Sequence, residues 1–387
     1  MLRPHPRPSS RPMSGRPWLL AALGLGLGAA LLGAPAGAAD KADPKTGTTF
    51  KADKDMASVL DALAGLNPKP IETLTPEEAR RQPTPADAVK AVLRMKGQET
   101  DPARLVPDVT AADRTVAGAA GPLPARVYTP KGAGPFPVIV YFHGGGWVIG
   151  SKEAYDGGAR AMAGQAKAIV VSVDYRLAPE HKFPAQHDDA LAAYRWVSEH
   201  AAELNGDPKR LALAGESAGG NLALSTAVAA RTAGLTPPQA IVAVYPVVQL
   251  TDTNTPSYRD SANAKPLNKA MMGWFGQHVF ASKEQMQDPR VDLLRADLSG
   301  LPPVALINAQ IDPLRSDGDL LVEALKKANV SHKQQVFKGV THEFYGMTPV
   351  VGNAKSAQGF AAKELRHAFE RSLRTSDSKP TEAKLKE

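Results

Sequence analysis

Short apolar runs alternate with longer amphipathic stretches over most of the chain after residue 114. Continuous apolar runs of strand length occupy 138–142, 168–173, 211–214, 241–244 and 304–307. The stretches between them predict helices over about 153–166, 186–204, 217–233 and 316–328. Strands that are apolar at every position are typical of a parallel sheet covered by helices on both faces. The pattern therefore predicts an α/β fold.

The chain before this alternation is predicted to be helical. Helical patterns cover 56–63 and 85–95, and between them Thr75 is followed by Pro76 and, three residues on, by Glu78. A threonine with proline at the first helical position and glutamate three residues on is a capping-box start. We therefore expect a group of short helices ahead of the sheet.

The first 38 residues have the pattern of a secretory signal peptide. Four arginines lead into an apolar run from Trp18 to Ala34, and the small residues Ala36-Gly37-Ala38 follow. This order predicts cleavage near Ala38 and export to the periplasm or the medium. An uncleaved membrane anchor is the alternative, because a run of 17 apolar residues is at the lower limit for spanning a bilayer.

Charge and composition exclude several classes of protein. The net charge of +7 comes mostly from the two ends, and 37 basic against 36 acidic side chains nearly balance over 39–370. A nearly neutral body does not favour nucleic-acid binding. The absence of cysteine excludes disulfides, a thiolate metal site and a cysteine nucleophile. The polar stretches 39–55 and 375–387 predict a flexible segment and a disordered tail.

Two glycine-rich loops follow predicted strands. Gly215-Glu216-Ser217-Ala218-Gly219 lies between a strand and a helix, where a nucleophile elbow places a reactive serine. The strand 138–142 ends in His143-Gly144-Gly145-Gly146-Trp147, and adjacent glycines let backbone N–H groups bind an oxyanion. Because the carboxyl ends of parallel strands form the ligand-binding crevice, we expect the two loops to face one site.

A serine nucleophile needs a base and an orienting acid, in the chain order serine, acid, histidine. His342 follows the last apolar stretch, whereas His278, His332 and His367 fall in or beside other elements. Asp312 follows the strand at 304–309 and is the predicted acid. Asp317 is the competing acid, but its place at a helix start is explained by capping or a first-turn role.

These motifs together resemble the hormone-sensitive-lipase-like carboxylesterases, also called bacterial family IV esterases, of the α/β-hydrolase superfamily. The resemblance covers about 137–345 strongly and is also carried by the stretches Tyr175 to His181, Phe183-Pro184-Ala185 and Leu301-Pro302-Pro303. It implies an α/β-hydrolase fold with a mostly parallel sheet of about eight strands. It also implies a helical cap, here residues 56–100 and about 252–290, beside a catalytic domain over 101–374.

The resemblance also implies roles for individual residues. Ser217, Asp312 and His342 would be the catalytic triad, and the amides of Gly145, Gly146 and Ala218 the oxyanion hole. Supporting positions would be His143, Gly144, Glu216, Arg176 and Glu180, and the substrate-pocket candidates are Trp147, Met271, Trp274 and Phe275.

The chain departs from the family pattern at the two residues beside the nucleophile and the base. Glu216 stands where aspartate or threonine is usual, which predicts an altered hydrogen bond behind the nucleophile. Glu343 stands where glycine is common. An inward carboxylate there would raise the pKa of His342 and repel anionic substrates. We expect Glu343 to point outward.

The predicted activity is hydrolysis of short- to medium-chain carboxylic esters through an acyl-enzyme, with no metal or cofactor. An amidase, a lactonase or a polyester hydrolase using the same triad is the alternative, and a non-catalytic binding protein on this scaffold is a further one. The expected partner is a small ester, with no nucleic acid and no stable membrane insertion after cleavage. A homodimer is compatible with the sequence.

Overall fold

The computed structural model describes residues 47–377, so the predicted signal peptide and residues 378–387 of the predicted tail lie outside the described residues. The described chain forms a sheet of eight strands in the order β1-β2-β4-β3-β5-β6-β7-β8. The strands are β1 (Val109–Gly118), β2 (Gly121–Pro130), β3 (Phe136–Phe142), β4 (Ile169–Val173), β5 (Gly206–Glu216), β6 (Ile241–Val244), β7 (Val304–Ile311) and β8 (His332–Thr341).

The sheet is mostly parallel, which confirms the predicted fold class. Strands β1 and β2 pair antiparallel, β2 pairs antiparallel with β4, and the remaining neighbours run parallel. The described α-helices are α1 (Lys54–Gly65), α2 (Pro76–Ala79), α3 (Pro85–Met95), α4 (Pro102–Leu105), α5 (Asp156–Ala166), α6 (Ala185–His200), α7 (Ala218–Thr232), α8 (Pro256–Asp260), α9 (Lys269–Val279), α10 (Arg315–Lys327) and α11 (Gly352–Asp377).

Apolar side chains on both faces of the sheet form the core. In β3, Val138 and Val140 pack into one apolar cluster, and the intervening Ile139 and Tyr141 pack into the other. All four side chains are fully buried. Burial on both faces is why β3 is apolar at every position, since successive side chains of a strand point to opposite faces.

Several element bounds differ from those expected. The sheet begins at Val109 rather than at 114, because β1 and β2 form a hairpin of mixed polar and apolar residues without a continuous apolar run. His332 is the first residue of β8 and does not precede it. Helix α11 continues to Asp377, beyond the predicted start of the tail at 375.

Hydrogen bonds hold residues 47–55, the described part of the predicted flexible segment, to the rest of the fold. The N–H of Asp53 donates to the Gly339 carbonyl at 2.8 Å, and Asp55 accepts from the N–H of Gly352 at 2.6 Å. Helix α1 begins at Lys54, inside that segment.

Two helical segments, 54–105 and 256–287, are called the cap segments below. Thr75 and Glu78 form the expected reciprocal capping box at the start of α2, with Pro76 at its first position. Trp274 of the second segment donates its indole N–H to the Leu74 carbonyl of the first at 3.1 Å. This hydrogen bond joins the two segments across 200 residues of chain.

Candidate active site

The residue at the turn between β5 and α7 is held in an unusual backbone conformation. Ser217 has φ of +57° and ψ of −118°, a region that residues other than glycine rarely adopt. Its N–H donates to the Val244 carbonyl at 2.8 Å, and helix α7 begins at the next residue. The sharp turn therefore puts the Ser217 side chain at the N-terminus of a helix, where negative charge is stabilised.

Ser217, His342 and Asp312 form one continuous chain of hydrogen-bond contacts. Nε2 of His342 lies 3.0 Å from Oγ of Ser217, and Nδ1 lies 2.7 Å from Oδ2 of Asp312. The other carboxylate oxygen of Asp312 accepts from the Leu314 N–H at 2.8 Å. Burial alone would lower the pKa of His342, but the charge and hydrogen bond of Asp312, with two nearby glutamates, raise it above its ordinary value.

Asp317, the competing acid, lies in the first turn of α10 and serves a different loop. Its carboxylate accepts hydrogen bonds from the N–H groups of Val248 and Gln249 at 3.1 and 3.4 Å. Burial raises the pKa of Asp317 to about 7, although these hydrogen bonds oppose the shift. The side chain thus fixes the loop after β6, and the structure brings Asp312 rather than Asp317 to His342.

The glycine loop after β3 has no room for side chains. Gly145 and Gly146 have φ of +97° and +59°, and a Cβ on Gly146 would approach the ring of Phe275 to 2.3 Å. Both glycines line the cavity that contains Ser217. The N–H of Ala218 belongs to the first turn of α7, whose N–H groups have no partner inside the helix. Two of the predicted oxyanion donors therefore line the same cavity as Ser217, and the third is the residue that follows it.

His143 supports the glycine loop from beneath. Its ring is fully buried, stacks on Tyr175 with ring centroids 4.3 Å apart, and places Nδ1 2.8 Å from the Gly144 carbonyl oxygen. Burial is the main cause that lowers the pKa of His143, with Asp174 opposing it. A Cβ on Gly144 would approach the hydroxyl of Tyr155 to 2.5 Å.

Glu216 is buried behind the nucleophile and accepts hydrogen bonds from the hydroxyls of Tyr141 and Tyr245. Burial, reinforced by the nearby charge of Glu343, raises the pKa of Glu216 to about 8 despite these two donors. Burial thus favours the protonated form of this carboxyl.

The expectation that Glu343 points outward is wrong. The hydroxyl of Tyr155 donates to its Oε1 at 2.7 Å, and the same oxygen lies 3.9 Å from Nε2 of His342. The backbone of Glu343 is left-handed, with φ of +70°, and this turn directs the carboxylate back into the cavity. Burial raises the pKa of Glu343, and His342 and Tyr155 act against that shift.

Arg176 and Glu180, two of the predicted supporting residues, do not line the cavity and form ion pairs with other elements. Arg176 forms a bidentate ion pair with Asp189, a fully buried residue of α6. Glu180 pairs with Arg80 of the first cap segment at 2.8 Å. Both residues follow β4, and their partners are on other elements, so they join neighbouring parts of the fold.

A cavity of about 960 Å³ contains Ser217 and His342 and is lined by both cap segments. Of the four pocket candidates, Met271 and Phe275 line it. Trp147 and Trp274 do not line it, and both side chains are buried in the apolar core. Trp147 instead packs against His187 and Phe280.

Tyr155, Tyr245 and Arg80 also contact the site and were not predicted. Tyr245 follows β6, so its place at the carboxyl end of a strand was a usable signal. The ring of Tyr245 lies 4.4 Å from that of His342. Tyr155 and Arg80 stand in segments that carry no motif, and only the fold brings them to the site.

Over residues 47–377, no three His, Asp or Glu side chains are grouped so that they could hold a metal ion. In the same part of the chain, no helix has both the length and the apolar character needed to cross a bilayer. The fold and the Ser217–His342–Asp312 contacts define a hydrolase of the serine type with a doubly covered α/β sheet.

Comparisons with known proteins agree with this class. The family described as the alpha/beta hydrolase fold matches residues 139–346. The carboxylesterase NlhH of Mycobacterium tuberculosis is 40% identical over 293 residues, which cover 74% of this chain and 91% of that protein. An ethyl acetate hydrolase of Pseudomonas putida is 33% identical over 291 residues, covering 74% of this chain and 88% of the relative.

A solved structure is similar over most of the chain. The hyperthermophilic esterase of the archaeon Pyrobaculum calidifontis superposes with a TM-score of 0.71 at 34% identity, covering 80% of this chain and 96% of that one. The chain belongs to the hormone-sensitive-lipase-like carboxylesterases of the α/β-hydrolase superfamily, as the sequence motifs predicted.

Proposed function

We propose that Ser217, His342 and Asp312 hydrolyse short- to medium-chain carboxylic esters through an acyl-enzyme. The contacts from Asp312 to His342 to Ser217, of 2.7 and 3.0 Å, are the observation that carries this assignment. A serine hydroxyl is a weak nucleophile until a base takes its proton, and the base works only when its other nitrogen is held.

In the acylation step, the Oγ of Ser217 attacks the ester carbonyl carbon while Nε2 of His342 takes the hydroxyl proton. The carbonyl electron pair moves onto oxygen, and the N–H groups of Gly145, Gly146 and Ala218 stabilise that negative charge. Loss of one such donor costs about 3–4 kcal/mol of transition-state stabilisation in serine hydrolases. When the carbon–oxygen bond to the alcohol breaks, His342 returns its proton to the departing alcohol oxygen.

Deacylation repeats the sequence with water as the nucleophile. His342 takes a proton from water, the hydroxide attacks the acyl carbon, and the proton passes to Oγ of Ser217 as the acid leaves. Asp312 holds His342 in the tautomer with hydrogen on Nδ1. The proposal needs no metal or cofactor.

The size of the cavity bears on substrate choice. Met271 and Phe275 give it an apolar wall close to the glycine loop, and such walls accept acyl chains until space runs out. One relative is named for the hydrolysis of ethyl acetate, a short ester. We expect turnover to fall steeply beyond about eight to ten acyl carbons, since overpacking then outweighs the gain per methylene.

The place of action follows from the first 38 residues, which lie outside the described part of the chain. We propose that this segment is cleaved near Ala38 and that the enzyme acts in the periplasm or the medium. N-terminal sequencing of the natively expressed protein should find a start near Ala39. A chain that keeps Met1 in a membrane fraction would support an uncleaved anchor instead.

A series of nitrophenyl esters with increasing acyl length tests the activity and the pocket together. We expect the highest kcat/KM among short and medium chains and labelling of Ser217 by a fluorophosphonate. A protein that binds these esters but neither turns them over nor reacts with fluorophosphonate would not be a serine esterase.

A further inference from the structure

Glu343 brings a second carboxylate to the base, on the side opposite Asp312. Asp312 holds Nδ1 of His342 at 2.7 Å, and Oε1 of Glu343 lies 3.9 Å from Nε2. Nε2 is the nitrogen that faces Ser217. The imidazole ring is therefore placed between two carboxyl groups, one in hydrogen-bond contact and one at ion-pair distance.

The position of Glu343 is fixed by its own contacts. Its Oε1 accepts from the Tyr155 hydroxyl at 2.7 Å, and its side chain is only 20% exposed. Among the residues the structure describes, His342 is the one basic side chain that forms an ion pair with Glu343. The carboxylate is thus free to respond to charge on His342 and is not neutralised by a lysine or arginine.

Three other polar groups lie around His342. Glu216, at the end of β5, accepts hydrogen bonds from two tyrosine hydroxyls, and burial raises its pKa to about 8. Tyr245, after β6, presents its ring at 4.4 Å, and Ser217 is neutral. Glu343 is the second carboxyl group, after Asp312, that lies within ion-pair distance of a ring nitrogen of His342.

We propose that Glu343 is a positioning residue of the esterase reaction, which stabilises the His342 imidazolium from the Nε2 side and so shares the task of Asp312. The proposal rests on the proposed function, because the imidazolium forms when His342 takes the serine proton. Glu343 itself neither gains nor loses a proton in the step. Its charge lowers the free energy of a positive ring that Asp312 would otherwise stabilise alone.

Two neutral variants remove the charge in different ways. Glu343→Gln keeps the size of the side chain and an oxygen that accepts from Tyr155. Glu343→Gly removes the side chain at a backbone φ of +70°, which glycine adopts without strain, so this variant should fold even where glutamine packs poorly. Glu343→Asp keeps a carboxylate, and Glu77→Gln removes an exposed carboxylate that pairs with Arg81 away from the cavity.

The direct measurement is an NMR titration of the His342 ring proton, which needs no turnover. Both neutral variants should lower the pKa of His342 relative to the native protein, since a negative charge that favours the protonated ring is gone. The pKa of His342 in Glu343→Asp should lie between its values in the native protein and in Glu343→Gln. In Glu77→Gln it should equal the native value. An unmoved pKa in both neutral variants overturns the proposal, whether or not the protein proves to be an esterase.

A double-mutant cycle with Asp312→Asn tests the shared task. We expect the neutral Glu343 variants alone to lower kcat several-fold. They should also move the acid limb of the kcat/KM profile to lower pH, because His342 then stays unprotonated down to lower pH. Because both charges act on the same ring and their Coulomb energies add, Glu343→Gln should lower kcat by about the same factor in the Asp312→Asn background as in the native one. Unchanged kcat on neutralising Glu343 in both backgrounds would contradict the proposal. Absence of native esterase activity would instead refute the proposed function and leave the titration result standing.

Discussion

The carboxyl edge of the sheet and the cap segments line the same cavity, but different constraints place their side chains. At the sheet edge, Ser217, Asp312 and His342 each follow a parallel strand, so the strand order alone brings them together. In the cap segments, short helices meet the cavity on one face and the core on the other. The positions of the sheet-edge residues are set by the strand topology. The positions of the cap-segment residues depend on how each helix is rotated about its axis.

Helix α9 shows this dependence. Met271 and Phe275, four residues apart, share one face and line the cavity, whereas Met272 and Trp274 are turned into the core. The apolar pattern is the same on both faces, so it identifies a buried helix without telling which face meets a ligand. This is why Trp274, one of the predicted wall residues, does not line the cavity.

The largest effect is expected at the sheet edge. Ser217→Ala, His342→Ala and Asp312→Asn should each lower kcat by several orders of magnitude, with double variants hardly worse than the worst single one, because the three act as a unit. Steady-state kinetics on a butyrate ester measures this. Asp317→Asn is the matched control and should alter stability more than kcat. If kcat collapsed in Asp317→Asn and stayed near normal in Asp312→Asn, Asp317 rather than Asp312 would be the acid of the triad.

Alanine variants of Trp147, Trp274 and Phe275 test which of these side chains only stabilise the core and which also line the cavity. Trp274→Ala and Trp147→Ala each remove a side chain that is at least 94% buried, and each should lower the free energy of unfolding by about 3–5 kcal/mol. Phe275 is as buried as Trp274 but also lines the cavity, so Phe275→Ala should lower stability and, in addition, shift the acyl preference towards longer chains. Chemical denaturation and the ester series measure the two effects. A change in acyl preference for Trp147→Ala alone would put that residue on the cavity wall.

Arg80 joins the first cap segment to the loop beside the glycines. Its guanidinium donates to the carbonyls of Val148 and Ala178 at 2.8 and 2.7 Å. Arg80→Ala should therefore cost about 1–3 kcal/mol of stability by leaving these acceptors unpaired, and should lower kcat/KM.

The neighbouring Arg81 offers the control for that variant. Among the residues that the structure describes, its guanidinium pairs only with the exposed Glu77 of α2, so Arg81→Ala should change stability by at most about 1 kcal/mol. Equal losses of stability and kcat/KM in the two variants would contradict the role given to Arg80.

The last prediction concerns how stability depends on pH. Burial raises the pKa of Glu216 from 4.5 in the ordinary side chain to about 8, so the folded protein keeps a proton that the unfolded chain has lost. Stability from this group is therefore lost as the pH rises from about 4.5 through about 8. Glu216→Gln should flatten that decline in urea unfolding at pH 5, 7 and 9. Parallel curves for the two proteins would mean that Glu216 is ionised when folded.

Sequence reasoning succeeded where a residue's position follows from the order of elements. The strand-end placement of Ser217, Asp312 and His342 needed only the alternation of strands and helices and the spacing of motifs. It failed for Glu343, whose direction depends on a left-handed backbone and a distant tyrosine, Tyr155. Contacts of this kind join residues that are 188 positions apart, and no local pattern records them.

The central claim is that Ser217 becomes acylated during ester hydrolysis. Mixing the enzyme with a nitrophenyl butyrate under single-turnover conditions and quenching it before deacylation allows the protein mass to be measured. We predict a mass increase of one butyryl group that maps to the peptide containing Ser217 and is missing in Ser217→Ala. Ester hydrolysis by the native protein without such an adduct, or with undiminished turnover in Ser217→Ala, would contradict the account.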